Sequence, residues 1–112
     1  MDRLHRIAPA GARIALGGHS TVPFGGRGEA PWRELELLVE SGLTPLEAIA
    51  AGTSVSAASF GRPQDLGVIR PGALADLIVL SSDPAADIRS IRTVTRVMTG
   101  GRWVDRAKYA SW

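Results

Sequence analysis

A single strand-like run stands ahead of every helix signal in this chain. Ala12-Arg13-Ile14-Ala15-Leu16 is short, apolar and bounded by Gly11 and Gly17, which reads as a buried strand with Arg13 its one polar interruption. No second strand signal occurs until residue 66. Between them lie a glycine-rich loop from Gly17 to Pro31 and three helix signals, and four short strand signals follow. Such an order is lopsided for a self-contained fold, because the lone strand has no partner of its kind and the helices have no sheet to cover. A chain built this way reads as the end of something larger.

The loop after that run is too rich in glycine, with Pro23 and Pro31, for a helix or a central strand. An irregular stretch of this length in a compact chain more often serves function than connection. It carries His19, one of two histidines, within Gly17-Gly18-His19-Ser20.

Pro31 suits the first turn of a helix, with Trp32, Leu35, Leu38 and Val39 on one face, Arg33, Glu36 and Glu40 elsewhere, and Gly42 as its end. Thr44-Pro45-Leu46-Glu47 is a capping box: Thr at the N-cap, Pro first in the helix, Glu three residues after the cap. From that start Leu46, Ile49 and Ala50 are expected to face a core, while Ala48 and Ala51 allow a neighbour close. Thr53 restarts a helix that runs to Phe60, with Gly61 as its left-handed cap.

Beyond Pro63 the pattern turns extended. Strands are expected over 66–69 and 75–80, with turn chemistry at Arg70-Pro71-Gly72 and a break at Asp83-Pro84. Strands over 94–99 and 102–105 flank Gly100-Gly101, a two-residue hairpin turn. Asp76 reads as a turn-fixing carboxylate rather than a catalytic one, and Trp103 and Val104 as core.

With 112 residues the chain makes one domain, enough to bury roughly two-thirds of its unfolded surface if it folds alone. An apolar fraction of 45% with 21% charged residues excludes a disordered tail. No apolar run approaches the roughly 20 residues of a membrane span, and the N-terminus lacks a signal peptide, so the chain as written is expected in the cytoplasm and off the membrane. Cysteine is absent, so a metal here must use His and carboxylates. A net charge of +2, with Arg89, Arg92, Arg96, Arg102, Arg106 and Lys108 clustered without an aromatic platform, reads as a solvated face; no nucleic-acid partner is expected. His5 carries no motif and is expected at the surface.

Four ordered segments, GARIALGGHS, ELELLVESGLTPLEAIAAGTSVSAASFG, LGVIRPGALADLIVLSSDPAADI and VTRVMTGGRWVD, together resemble the C-terminal portion of the metal-dependent amidohydrolase superfamily. The likeness is to the imidazolonepropionase-like and prolidase-like branch, and it runs from about residue 11 to residue 106. It implies an α/β fold: the last strand and helices of a TIM-type (β/α)8 barrel over residues 1–62, and the returning strands of a small composite β-sandwich over residues 63–112. Barrel active sites lie at the C-terminal ends of the strands, so the loop after Gly17 would face the metal.

The chemistry implied is hydrolysis of an amide, cyclic amide or related C–N bond of a small molecule. A hydroxide on a divalent metal, commonly zinc, attacks, and a carboxylate after the eighth strand moves the proton. In the usual family pattern that carboxylate is the Asp of a Leu-Gly-Thr-Asp-Ser sequence. Here the sequence is Leu16-Gly17-Gly18-His19-Ser20, so the resemblance makes His19 the candidate metal ligand and catalytic residue, and Ser20 a candidate substrate contact. The plainer readings, a hydrogen-bonded loop histidine and a polar turn residue, stay open beside these. The remaining ligands have no counterpart, since a catalytic zinc site needs about three protein ligands and two histidines cannot supply them. The isolated chain is therefore expected to hold no catalytic metal, to be inactive, and to need a missing N-terminal barrel segment or to self-associate. The alternative is a non-catalytic interaction module that docks on a partner chain.

Overall fold

The computed structural model describes residues 2–17 and 28–109. Helix α1 (Asp2–Ile7) opens the chain, and four residues after it Gly11 takes a φ of 82°. No sequence signal announced it; six residues carry too little periodicity to register. Leu4 and Ala8 nevertheless pack against the core.

Residues 12–17, expected as a strand, form none. A strand exists only by pairing, and among the described residues no extended neighbour lies beside this one. Its one inward backbone bond goes to a helix, from the Leu16 N–H to the Ala51 carbonyl at 3.2 Å. Ile14 and Leu16 still pack on the core, so the apolar pattern was sound although the ladder is missing.

Helix α2 (Ala30–Glu40) starts with Pro31 in its first turn and buries Leu35 and Leu38. It stops at Ser41, whose hydroxyl donates to the Leu37 carbonyl at 2.7 Å, followed by Gly42 at φ 107°. Helix α3 (Pro45–Gly52) has the capping box in full. The Glu47 N–H donates to Thr44 Oγ1 at 3.2 Å, and the Thr44 N–H donates to Glu47 Oε2 at 2.7 Å. Its inward face is the small one: Ala48 and Ala51 are buried, whereas Leu46, expected inside, is 65% exposed. Alanines at i and i+3 let α2 approach closely, and Leu46, two residues before Ala48 and so about 200° round the helix from it, points away. Thr53 separates α3 from α4 (Ser54–Ser59), which ends with Gly61 at φ 73° as its pattern predicts.

The core joins Leu35, Leu38, Leu43, Ala48 and Ala51 to Ile88 and Ile91 of a short 3-10 helix (Ile88–Arg92). That 3-10 helix, which has no signature in the sequence, ties the helical half to the sheet. The sheet has three antiparallel strands in the order β1-β2-β3: β1 (Leu77–Leu80), β2 (Val94–Thr99) and β3 (Arg102–Trp103). Leu77 pairs with Met98 and Val79 with Arg96, with a bulge between Val79 and Leu80. Gly100 and Gly101 both have positive φ, the turn that a two-residue hairpin requires.

Residues 66–69 form no strand either. Gly67 sits at φ 70°, outside the pleat, where a β-carbon would fall against the Thr53 carbonyl, and Ile69 is 90% exposed. The turn after it is as expected: the Ala73 N–H donates to the Arg70 carbonyl at 3.2 Å, around Gly72 at φ 88°. Trp103, expected in a core, is 46% exposed, with the Arg96 guanidinium 3.4 Å from its ring centroid. The reason is the sheet itself. Ile78 and Val79 point to opposite faces yet are 39% and 38% exposed, so neither face has a full covering layer.

Candidate functional site

His19 and Ser20 lie outside the described residues. What the structure does describe is how the two ends of their segment are held. At the entrance, the Gly17 N–H donates to Glu34 Oε1 at 3.0 Å, so a carboxylate on α2 holds the backbone as it leaves residues 12–17. At the exit, Glu29 stands immediately before α2, and Arg92 Nη1 donates to its Oε2 at 2.5 Å.

Arg92 itself is fixed to α2. Its Nε donates to Glu36 Oε1 at 2.6 Å, across 56 residues of sequence. The other oxygen of Glu36 accepts from Arg33 Nη1 at 3.1 Å, and Arg33 continues to Glu40 at 2.8 Å. Glu36 is buried, where an unpaired carboxylate costs several kcal/mol, and two guanidiniums satisfy it. The Arg92 hydrogen bond, with help from Arg33, holds the Glu36 carboxyl below the usual range although burial opposes this. Glu36 and Glu29 raise Arg92 above its ordinary value in turn.

The sequence puts Glu36 on the polar face of its helix, which is where it lies, but its burial under Arg92 was not legible there. The spacing of Arg33, Glu36 and Glu40 marks one helix face. Nothing local marks Arg92, which belongs to a basic cluster that reads as solvated. Several members of that cluster have internal partners. Arg89 pairs with Asp87 at 2.7 Å, Arg106 donates to the Val94 carbonyl at 2.8 Å, and Arg96 lies on Trp103.

Asp76 has the turn-fixing role its position predicts: its Oδ1 accepts from the Gly100 N–H at 2.7 Å and from the Thr99 hydroxyl at 3.4 Å. A groove of about 630 Å³ lies between residues 67–69, the end of α3 and the sheet, lined by Ile49, Ile69, Ile78 and Val97 among others. Among the described residues no three His, Cys, Asp or Glu side chains group to hold a metal ion. No helix among them is long and apolar enough to cross a membrane.

A sequence profile of the Amidohydrolase family matches residues 2–104. The ochratoxinase of Aspergillus niger is 41% identical over 98 residues, which cover 83% of this chain and 19% of that protein. A putative prolidase from Bifidobacterium longum superposes with a TM-score of 0.83 at 36% identity, over 92% of this chain and 25% of its own. Phenylurea hydrolase B does so with a TM-score of 0.81 at 31% identity, over 93% of this chain and 26% of its own. The chain thus spans about a fifth to a quarter of the length of these relatives.

Proposed function

This chain belongs to the Amidohydrolase family, in its prolidase-like branch, and on that premise we propose that it forms the C-terminal part of a metal-dependent enzyme hydrolysing an amide or cyclic amide C–N bond. Residues 1–62 would close such an enzyme's (β/α)8 barrel, and residues 63–112 would return to its composite β-sandwich. The observation that carries the reading is a fold match over nearly all of this chain and only a quarter of the prolidase. Three features agree with it. Residues 12–17 pack on the core without a ladder, the sheet is open on both faces, and a groove of apolar side chains runs beside β1. Each is a surface that a longer polypeptide would cover.

The donor set of this chain does not fit a whole catalytic metal site. It has no cysteine and two histidines, against a need for about three protein ligands and an open position. His19 is therefore assigned as one contributor to a site completed elsewhere, as a ligand or as the group that accepts the proton of the attacking water. Ser20 is assigned to contact with the substrate.

The same uncovered sheet favours a second reading, a module that docks on a partner chain without catalysis. One experiment separates the two. The purified chain is dialysed against trace zinc and assayed for bound zinc, solution mass and amide hydrolysis, alone and after co-expression with the N-terminal three-quarters of a prolidase-type relative. The first reading expects less than one zinc per chain alone, and hydrolysis that appears on co-expression and disappears with His19→Ala. Association without hydrolysis favours the docking module. Stoichiometric zinc with hydrolysis by the chain alone overturns the C-terminal-part reading.

A further inference from the structure

We propose that the outer edge of β1 is a pairing site for a second copy of this chain, the two β1 strands lying antiparallel with Val79 opposite its own counterpart on a two-fold axis. The direction of the backbone groups carries the inference. In an antiparallel sheet the N–H and C=O of one residue point to the same side, and neighbouring residues alternate. The Val104 N–H donates to the Val97 carbonyl at 2.9 Å, so Val97 faces β3, and Ile78, opposite it in the β1–β2 pair, faces away from β2. Past the bulge the Ser81 N–H donates to the Thr93 carbonyl at 3.0 Å, which turns Leu80 outward as well. Ile78 and Leu80 thus each direct an N–H and a C=O to the outside of β1, and among the described residues neither group finds a backbone partner there. A row of such groups is met by an extended backbone and by nothing else as completely.

Self-complementarity and charge make that backbone a second β1. A two-fold contact needs one patch that fits itself. With Val79 on the axis, Ile78 of each copy stands opposite Leu80 of the other, and both pairs can exchange both of their hydrogen bonds; an axis at Ile78 would set Leu80 against Asp76, outside the strand. Leu77–Leu80 carries no charge, and Asp76 falls opposite Ser82, so no like charges meet. The edge of β3 is guarded where that of β1 is not. It is two residues long, only Trp103 turns its backbone groups outward, and Arg102 and the Arg96 guanidinium over the Trp103 ring place charge beside it. On β1 the exposed Ile78 and Val79 stand with neither charge nor proline.

The pairing does not rest on the enzymatic reading given above, which the co-expression experiment decides separately. Amide hydrogen exchange of the unaltered chain at several concentrations tests it. Where the dimer predominates, the monomer fraction falls as the square root of concentration, so a roughly hundredfold rise should slow exchange at Ile78 and Leu80 about tenfold. The Trp103 N–H, on the outer edge of β3, should keep one rate throughout. The register is read by cross-linking, for which a chain without cysteine accepts a single introduced thiol. Residues opposed in a non-hydrogen-bonded pair have α-carbons about 4.5 Å apart, within the roughly 4.4–6.8 Å that a disulfide spans. Val79→Cys should therefore oxidise to a covalent dimer, while Ile78→Cys, whose opposite number is Leu80, and Trp103→Cys should stay largely monomeric. Exchange at Ile78 and Leu80 that does not change with concentration, or that slows equally at Trp103, overturns the proposal. A covalent dimer that forms as readily from Trp103→Cys overturns it too, by placing association at β3 or on the sheet faces, and one that forms more readily from Ile78→Cys overturns the Val79 axis.

Discussion

Glu36 is the residue whose chemistry most depends on the fold. Its carboxyl is held below the ordinary glutamate value, chiefly by Arg92, so its ionised form contributes stability at pH values above about 4.3, and that contribution is lost as pH falls through the lowered folded value. Glu36→Gln should therefore destabilise the chain at pH 7 by on the order of 1–2 kcal/mol, the lower end being favoured by the third of Arg92 that water reaches. The gap between the two proteins should narrow as pH drops from 5 towards 3, read from urea midpoints at each pH. A gap that is constant across this range would mean that packing, not charge, sets the cost. Gly67 makes a second test at the same scale. Any side chain there takes a left-handed φ of 70° and meets the Thr53 backbone carbonyl, which cannot rotate away. Gly67→Ala should cost about 2–3 kcal/mol in thermal or urea unfolding, whereas an alanine at Gly100, open on all sides, should cost about 1 kcal/mol, the φ penalty alone.

Elements differ in how much of their cause lies within their own sequence. The α3 start is local: Thr44 and Glu47 satisfy each other's backbone donors, so Thr44→Ala should lower stability by about 1 kcal/mol, and Thr44→Ala with Glu47→Ala by less than the sum of the singles, since either change opens the box. Denaturant midpoints of the three variants decide this. The same locality explains why the box, the Gly61 cap, the Gly100-Gly101 hairpin and the Asp76 turn lock were all legible in the residues that form them. Strands over 12–16 and 66–69 were not: an apolar or β-branched run states a preference for extension, but the ladder depends on a neighbour, and Gly67 takes a φ that its own sequence does not announce. Leu46 and Trp103 were misplaced for a related reason. Their apolar character says that something could cover them, while whether anything does is decided by elements far off in sequence. Of the candidate site, the segment that carries His19 and Ser20 lies outside the described residues; the contacts at its two ends, through Glu34 and Arg92, were not legible, because each residue meets its partner across 17 residues or more.

At the scale of the whole molecule the open sheet is the feature with the largest consequence. Ile78, Val79 and Trp103 leave apolar surface on both faces of β1-β2-β3, and β1 and β3 each present one unpaired edge within that sheet. Exposed apolar strands with free edges recruit whatever extended chain is nearby, and in a purified sample that is another copy. The isolated chain should therefore show a solution mass that rises with concentration in sedimentation or light scattering. Placing charge on the sheet tests the cause: Ile78→Lys or Val79→Lys should shift the sample towards monomer without loss of helical signal in circular dichroism, because the helical core of Leu35, Leu38, Ala48 and Ala51 lies elsewhere. Lysine at Leu46, exposed on α3 and remote from strand edges, is the control that should leave the mass unchanged. If all three behave alike, association does not run through the sheet, and the surface a longer polypeptide would cover has to be sought beside residues 12–17. If only the sheet variants respond, the faces that self-associate here are those that the proposed C-terminal-part reading gives to an N-terminal portion, and on that reading co-expression with such a portion should suppress the concentration dependence in the unaltered chain as the lysines do.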